Sequence, residues 1–593
     1  MSERDDEILG KAYDPRLMQR VWSFARPHRR VIFLSVALFP LIAALELLQP
    51  WLTKIAIDRY ILPGDWAGLT WVAAAYLGCL LGLYALRVAV SYLTQLAGQR
   101  VMHDLRAALF AHLQRQDAAF MDRNPVGRLM TRLLNDVEAI NELFASGAAA
   151  VVGDVLTLAG IVVLMLVLNW ELALVTFALV PVLAVGAAYF RLKARDSYRG
   201  VRIRLARLNA FLQESLQGMP IIQLFARERR EAELFGALNG ELRRAQFRST
   251  RFDAFLYAGV EALGSMTAAL LLWYGGGQVL TGALTFGGLV AFLEYVGRFF
   301  LPIRDLGAKY TVMQAATVSA ERIFALLDTE PTVRPPTAGA GGFQTGAPAV
   351  EFRNVWFAYE GEEWVLRDCS FEVAPGERVA LVGPTGEGKS TIVRLMTRAY
   401  DVTRGQVLVG GRDVREWDLV ALRRAVGVIP QEVFLFTGTV EENLRVTGGG
   451  AVASRESIDR ALQTARADRV VASLPRGLAH EIHERGQNLS QGQRQLLAIA
   501  RALIYNPVVL ALDEATSSVD PESEALIRAG LEELVQGRTS VVIAHRLSTI
   551  QTSDRILVLH RGRVREAGRH ADLLAAGGFY ARLYELQFGA GRP

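Results

Sequence analysis

The sequence predicts a multi-domain chain: a six-helix polytopic α-helical membrane domain followed by an α/β domain built around a phosphate-binding loop. Three observations carry that reading. Six apolar runs are crowded before residue 305 and nothing comparable follows; a Pro/Gly-rich stretch then breaks the pattern; and "GPTGEGKST" stands between an apolar strand and a helix in the second part.

At 593 residues the chain is long enough for about three or four ordinary domains. The apolar runs are 31–53, whose one charge is Glu46, then 69–95, 146–169, the uncharged 172–190, 254–280 and 283–303. Each approaches the ~20 residues a helix needs to cross ~30 Å of hydrocarbon. Core helices of a large soluble protein are the competing reading, and the crowding of all six into one half argues against it. The start, MSERDDEILG, is acidic, and Arg26, Arg29 and Arg30 precede the first run with no small-residue cleavage site behind it, so an uncleaved first span is expected. Basic residues cluster in 97–133 and 191–251, whereas the turns at 169–171 and 275–282 hold no Lys or Arg. The positive-inside rule then places both termini and everything after 305 in the cytoplasm of a multi-pass protein of the cell (inner) membrane. The net charge of +5 follows from this bias and does not argue for nucleic acid. Cys79 and Cys369 form neither a disulfide framework nor a metal-ligand spacing.

Residues 1–30 read as a cytoplasmic segment whose Pro15–Arg26 stretch forms an amphipathic membrane-surface helix, with Leu17, Val21, Trp22 and Phe24 as its apolar side. The membrane domain covers 31–327. Two excursions between spans are each roughly fifty residues and helix-patterned throughout, so the spanning helices continue past the membrane. Each is interrupted where a short cross-helix fits, at "FMDRNPVGRL" from Phe120 and "ESLQGMPIIQLF" from Glu214. Residues 328–349 are a linker, 350–588 alternate strands and helices in the manner of a mainly parallel sheet, and 589–593 form a tail.

In the second part the loop Gly383, Pro384, Thr385, Gly386, Glu387, Gly388, Lys389, Ser390 and Thr391 follows the strand 379–382 and opens a helix. Glycines there turn backbone N–H groups toward phosphate, Lys389 meets the outer phosphate oxygens, and the Ser390 hydroxyl can ligate Mg²⁺. "VVLALDE" supplies a buried strand, then Asp513 to hold Mg²⁺ through water and Glu514 to polarise the attacking water. An acidic pair after a strand is a weak signal alone; the upstream loop strengthens it.

This order of motifs resembles the ATP-binding cassette (ABC) exporters, in the half-transporter form of the type IV fold with the membrane domain first. The resemblance covers nearly the whole chain and implies an ATPase coupled to transport, with ATP and Mg²⁺ as cofactors. It assigns Tyr359 in "VWFAYEG" to adenine stacking, Gln431 in "VIPQEVFLF" to Mg²⁺ or the attacking water, Asp520 in "SSVD" to the dimer interface and His545 in "VVIAHRLST" to the γ-phosphate. The catalytic set it implies is Lys389, Gln431, Glu514 and His545. "FMDRNPVGRL" and "ESLQGMPIIQLF" are similar to the two coupling helices, the second of which would dock on the partner's cassette.

"NLSQGQ" matches the signature that acts across a dimer. Ser490 caps a helix starting near Gln491, and Ser490, Gln491, Gly492 and Gln493 would close on the partner's nucleotide. The usual Leu-Ser-Gly-Gly-Gln carries glycine where Gln491 stands, and "HEIHERG" departs from Val-Gly-Glu-Arg-Gly at Ile482 and His483 while Glu484, Arg485 and Gly486 match. An intact Glu514 beside an altered signature implies a heterodimer with a second half-transporter and one degenerate site; a homodimeric lipid flippase of the same family is the alternative. Charges within the spans, Glu46, Arg87, Glu261, Glu294 and Arg298, either face a cavity or pair with neighbours, and Glu294 and Arg298 stand four apart in the order that pairs well. The expected cargo is a hydrophobic or amphipathic compound, a drug, lipid or peptide. A membrane-anchored sensor without cargo is the rival from another class; the coupling-helix matches and the intact catalytic residues weigh against it.

Overall fold

The computed structural model describes residues 14–144, 148–334, 336, 342–445, 453–513, 521–544 and 547–588. It forms two compact units, 1–114 with 127–329, and 115–126 with 330–593.

The first unit is helical. The helix Pro15–Ala25 starts at Asp14, whose side chain accepts from the Arg16 N–H. Val21 and Ala25 are buried, and Arg20 donates to both Asp328 oxygens at 2.6 and 2.7 Å. Six helical passes follow among the described residues. They run through Arg29–Ile55, Trp66–Gln114, Ala148–Leu168, then Trp170–Phe177 with Val180–Gln217, Glu228–Leu280 and Phe286–Leu327. Four stretches among the described residues are long and apolar enough to cross a membrane: Pro15–Ile61, Trp66–Gln114, Val151–Leu168 and Glu228–Leu280. The runs 172–190 and 283–303 lie in the two remaining passes. Helices of 49 and 53 residues are about 75–80 Å long at 1.5 Å per residue. That is well over twice the hydrocarbon thickness, as the polar, helix-patterned excursions require.

Sharp turns join the passes where the sequence caps them. Asn169 accepts from the Glu171 and Leu172 N–H groups at 3.0 and 3.1 Å. Its amide donates to Gln278 at 2.7 Å, and Gln278 donates to Glu171 at 2.6 Å, which ties two turns together. Gly98 permits a close approach, since a Cβ there would stand 2.0 Å from Asn141 Oδ1.

The charged residues of the spans separate into two groups. Arg87 pairs with Glu46 at 2.6 Å, and Thr157 donates to the other Glu46 oxygen at 3.3 Å. Arg298 does not pair with Glu294; it donates to the Glu46 carbonyl and to Gln49 Oε1, both at 2.6 Å, because Phe286–Leu327 packs against Arg29–Ile55. Asp154, also in an apolar run, holds Lys309. Glu294 is half-buried and Glu261 exposed, and neither has a hydrogen-bond partner among the described residues.

The second unit is α/β. A six-stranded sheet contains β3 (Arg378–Val382), β6 (Val426–Ile429), β9 (Val509–Asp513), β10 (Thr539–Ile543), β11 (Arg555–His560) and β12 (Arg563–Gly568) in the order β12-β11-β3-β10-β9-β6, parallel except for β12. A second, antiparallel sheet, which the sequence reading does not anticipate, comprises β1 (Val350–Ala358), β2 (Trp364–Val373), β4 (Arg404–Val409) and β5 (Arg412–Asp413) in the order β2-β1-β4-β5. β7 (Gly438–Thr439) and β8 (Glu481–Ile482) form a small ribbon. Phe352, Leu366, Leu381, Ile392, Leu395 and Trp417 belong to one core. Leu496, Leu497 and Ile499 of the helix Gln491–Tyr505 anchor another with Leu510 and Ile527. Full burial of each such side chain contributes about 1.5–3 kcal/mol.

The short helix Ala118–Arg123 belongs to this unit. Ala118 and Ala119 pack on the first core and Phe120 is buried. Asp117 caps the helix through the Phe120 N–H at 2.9 Å, while its other oxygen accepts from the Thr332 and Val333 N–H groups at 2.6 and 3.1 Å and from the Thr332 hydroxyl. Burial pushes the Asp117 carboxyl up, but these hydrogen bonds outweigh it and hold it below the usual value. Its contribution is therefore complete above the unfolded carboxylate value of about 3.9 and is lost as pH falls through the lower folded value. Asp117→Ala removes the cap and these acceptors together. Docking of 117–126 should weaken by about 1–2 kcal/mol, seen at neutral pH as faster amide exchange across that segment in the full chain; exchange at the wild-type rate would contradict the assignment.

Candidate nucleotide site

The phosphate loop begins where β3 ends. Gly383, Gly386 and Gly388 have φ of 157°, 90° and 93°. A Cβ on Gly383 would lie 2.5 Å from the Leu559 carbonyl oxygen, and one on Gly388 2.7 Å from Leu366 Cδ2. Gly383 therefore requires glycine for space as well as for backbone conformation, and Gly388 requires it for backbone conformation. Lys389 opens the helix Lys389–Met396, and its buried ammonium donates to the Gly383 and Pro384 carbonyls at 2.6 and 2.8 Å. Burial lowers its pKa below the ordinary lysine value, against the opposing pull of Glu387 and Asp513. Glu387 is tethered outside the loop, accepting from the Gly562 N–H at 3.3 Å and approaching His560 Nδ1 at 3.4 Å.

Sheet register brings the acidic strand to the loop. Ile543 of β10 stands opposite both Leu381 of β3 and Asp513 of β9, so Asp513 closes its strand at the same carboxyl edge, where open parallel sheets bind ligands. The Ser390 hydroxyl donates to Asp513 Oδ2 at 3.3 Å. Ile429 pairs with Leu512, which sets exposed Gln431, two residues beyond, at that edge too. A hydroxyl and a carboxylate oxygen converging beside a lysine form a hard-oxygen donor set that fits Mg²⁺ with the remaining positions left to water and phosphate. Among the described residues no group of three or more His, Cys, Asp or Glu could hold a metal by itself.

Tyr359 follows β1 on the antiparallel sheet. It is 41% exposed, and its hydroxyl is 3.0 Å from Thr391 Oγ1. Its ring meets Phe357 and Tyr400 edge-on with centroids 4.8 and 5.2 Å apart, and the Arg394 guanidinium lies 5.8 Å from its centroid. Asp122 of the short helix accepts from both Tyr400 Oη and Arg394 Nη1, the latter at 3.0 Å. Burial first, and then this bond, raise the Tyr400 hydroxyl well above the ordinary tyrosine value. The exposed tyrosine at the rim of the loop is thus braced by two residues that the carboxylate of Asp122 holds. Sequence reasoning missed Asp122, Arg394 and Tyr400 because their pairing spans more than 270 residues and follows no motif.

The signature stands on the other core. Ser490 is the N-cap of Gln491–Tyr505: its hydroxyl accepts from the Gln493 N–H at 3.2 Å, and the Gln493 side chain accepts from the Ser490 N–H at 2.9 Å, a reciprocal capping box. Arg494 donates to the Gly486 and Leu489 carbonyls at 3.1 and 3.0 Å, which fixes the preceding loop. The N–H groups of Gln491 and Gly492 have no acceptor within the helix by position. Gln491 is exposed while Gly492 is buried, so the substitution at 491 leaves the cap intact and changes only what the helix start presents outward. No hydrogen bond or ion pair among the described residues joins Ser490–Gln493 to the phosphate loop of the same chain. Glu514, Asp520 and His545 lie outside the described residues.

Comparison with known proteins gives a consistent result. Residues 32–303 match the family described as ABC transporter transmembrane region, and 366–517 match the ABC transporter family. The chain is 36% identical over 590 residues to the ABC transporter ATP-binding protein YknV of Bacillus subtilis (strain 168), covering 98% of this chain and 96% of that one. It is 34% identical to the ATP-dependent lipid A-core flippase of Syntrophus aciditrophicus (strain SB), with 96% and 94% covered. A bacterial Atm1-family ABC exporter solved with ATP bound superposes with a TM-score of 0.77 at 29% identity, covering 95% of this chain and 99% of that one.

If Asp122 braces the tyrosine rim, Asp122→Ala should weaken binding of a fluorescent ATP analogue by the full chain about fivefold, equivalent to about 1 kcal/mol. Unchanged affinity would separate the brace from the nucleotide site.

Proposed function

Because the chain belongs to the ABC transporter family, as a half-size exporter of the type IV fold that joins one membrane domain to one ATPase cassette, we propose that it exports an amphipathic compound from the cytoplasm as the catalytically competent half of a heterodimer. The ATPase coupled to transport is common to the family; the pairing, the cargo and the residue roles are the proposal. The observation that carries it is the convergence of Lys389, Ser390 and Asp513 at one sheet edge, with Ser390 and Asp513 3.3 Å apart.

In this reading the glycine loop cradles the phosphates and Lys389 exchanges its loop carbonyls for the outer phosphate oxygens, a swap that restores charge pairing to a buried ammonium. Ser390, Asp513 and Gln431 hold Mg²⁺, which when bound neutralises charge on the phosphate oxygens. Tyr359 stacks on adenine. Glu514 polarises the attacking water and His545 contacts the γ-phosphate. The partner's unaltered signature completes this site. Ser490, Gln491, Gly492 and Gln493 face the partner's nucleotide, Asp520 crosses the interface, and the outward-facing Gln491 in place of glycine makes that second site the weaker one. A homodimer is the second reading, favoured by the intact capping box at Ser490.

The cassettes and both termini lie in the cytoplasm. The short helix Met219–Leu224 docks on the partner's cassette; Ile221, Leu224 and Phe225 are 57%, 74% and 67% exposed within this chain, which leaves them free for that contact. Closure of two ATP-loaded cassettes then shifts a two-state equilibrium of the spans. Glu261 and Glu294, without partners among the described residues, are the charges that line the pathway, whereas Glu46, Arg87 and Arg298 are occupied in holding helices together.

Glu514→Gln is expected to bind ATP with near-normal affinity and to hydrolyse it at least 100-fold more slowly, since the general base contributes on the order of 10²–10⁴-fold; normal turnover would refute its role. For the pairing, the chain purified alone should show little stable ATPase, and co-expression with a half-transporter of unaltered signature should restore it. Robust, cargo-stimulated turnover of the chain alone at two sites per dimer would establish the homodimer instead.

A further inference from the structure

Beyond the apolar runs, the polar extensions of Val180–Gln217 and Glu228–Leu280 run against each other and enclose a cleft of about 350 Å³ that neither the cassette nor the transport motifs use. Its charged lining is Arg204, Arg244, Arg248 and Glu241, with Ser197 and Gly200 beside them. Three guanidinium groups against one carboxylate leave a surplus of two positive charges. The ion pairs of the second helix among the described residues, Arg227–Glu231 and Arg229–Glu233, involve other side chains. Arg204 is fixed in place by donating to the Gly200 carbonyl at 3.0 Å. Gly200 leaves room for it, since a Cβ there would press on the guanidinium at 3.2 Å. Ser197, 8% exposed, lines the same cleft with a buried hydroxyl that has no hydrogen-bond partner among the described residues.

A buried hydroxyl left unpaired costs about 1–3 kcal/mol, and three arginines that share the single carboxylate of Glu241 repel one another. Both costs disappear when an anion with several acceptor oxygens enters. A phosphate group suits the lining best. It takes paired N–H bonds from more than one guanidinium and keeps an oxygen for the serine, whose water-shielded hydroxyl reaches it by rotating about χ1 into the cleft. Ser197 lies seven residues past the apolar run that ends at 190, and Arg248 six before the run that begins at 254. At 1.5 Å per residue both stand about 10 Å beyond the hydrocarbon, just outside the ~5–8 Å headgroup layer and within reach of it for an arginine side chain. We propose that this cleft is a binding site for a phosphate ester, supplied either by an acidic phospholipid of the adjoining leaflet or by a soluble phosphate compound, with Arg244, Arg248 and Ser197 as its principal donors.

The test uses the full-length assembled transporter, with phosphatidylglycerol binding read by native mass spectrometry and inorganic phosphate binding by equilibrium dialysis. Arg244→Gln/Arg248→Gln should lower occupancy at least fivefold for whichever probe is the ligand, Ser197→Ala about twofold to threefold, and Arg244→Lys/Arg248→Lys should retain most of it. Loss confined to phosphatidylglycerol assigns the lipid source and loss confined to phosphate the soluble one, and either supports the site. If the Gln/Gln protein is unfolded by its melting curve, Ser197→Ala and Lys/Lys decide on the same criteria. Equal occupancy of both probes in wild type and in a folded Gln/Gln protein, or no effect of Ser197→Ala where it must decide, overturns the proposal.

Discussion

The structure depends on a carboxylate that arrives from another part of the chain. Residues 115–126 lie in the sequence between two membrane helices, yet they pack as part of the cassette. Asp117 fastens the start of the short helix to the beginning of the linker at Thr332 and Val333, and Asp122 grips Arg394 and Tyr400 from its far end. Both attachments are hydrogen bonds to an ionised acceptor, the stronger kind, and both are part-exposed, so they hold a position without contributing the bulk of the folding energy. That energy comes from the apolar cores. The carboxylates fix residues 115–126 to the cassette, and the surface those residues occupy adjoins the rim of the nucleotide loop.

From that constraint the rest follows in order. Arg394 and Tyr400, once held, wall in the ring of Tyr359, so an exposed aromatic gains a defined orientation. The parallel sheet aligns the phosphate loop and Asp513 at a shared edge by register alone. The loop's glycines are required by their positive φ, and Gly383 also by its close approach to the Leu559 carbonyl. The signature is built differently: its helix is rooted in a separate core, and its cap is complete without help from the phosphate loop of its own chain. The cap is complete and Gln491 is exposed beside it, so the side chain at 491 can change without disturbing the fold that presents it.

Much of this was legible in the sequence, and the physical reason is periodicity. Apolar runs long enough for the bilayer, a glycine loop between strand and helix, and Ser490 as the cap of a helix starting at Gln491 are local patterns, and each appears where the sequence places it. The short cross-helices at 118–123 and 219–224 were legible for the same reason, as breaks in long helical patterns. What the sequence did not show is non-local. The antiparallel sheet of β1, β2, β4 and β5 draws strands from both sides of the phosphate loop. The Asp122 brace joins residues with no common motif. Arg298 turns to the Glu46 carbonyl and Gln49 and not to Glu294, because helix packing, and not spacing within one helix, chooses its partner.

A double-mutant cycle on ATP affinity between Asp122→Ala and Tyr359→Ala tests most directly whether the spliced helix acts on the nucleotide through the tyrosine rim. The account predicts a coupling energy of about 1 kcal/mol, with Asp122→Ala nearly silent once Tyr359 is gone. Additive effects, with Asp122→Ala costing the same affinity in the presence and absence of the tyrosine ring, would contradict it.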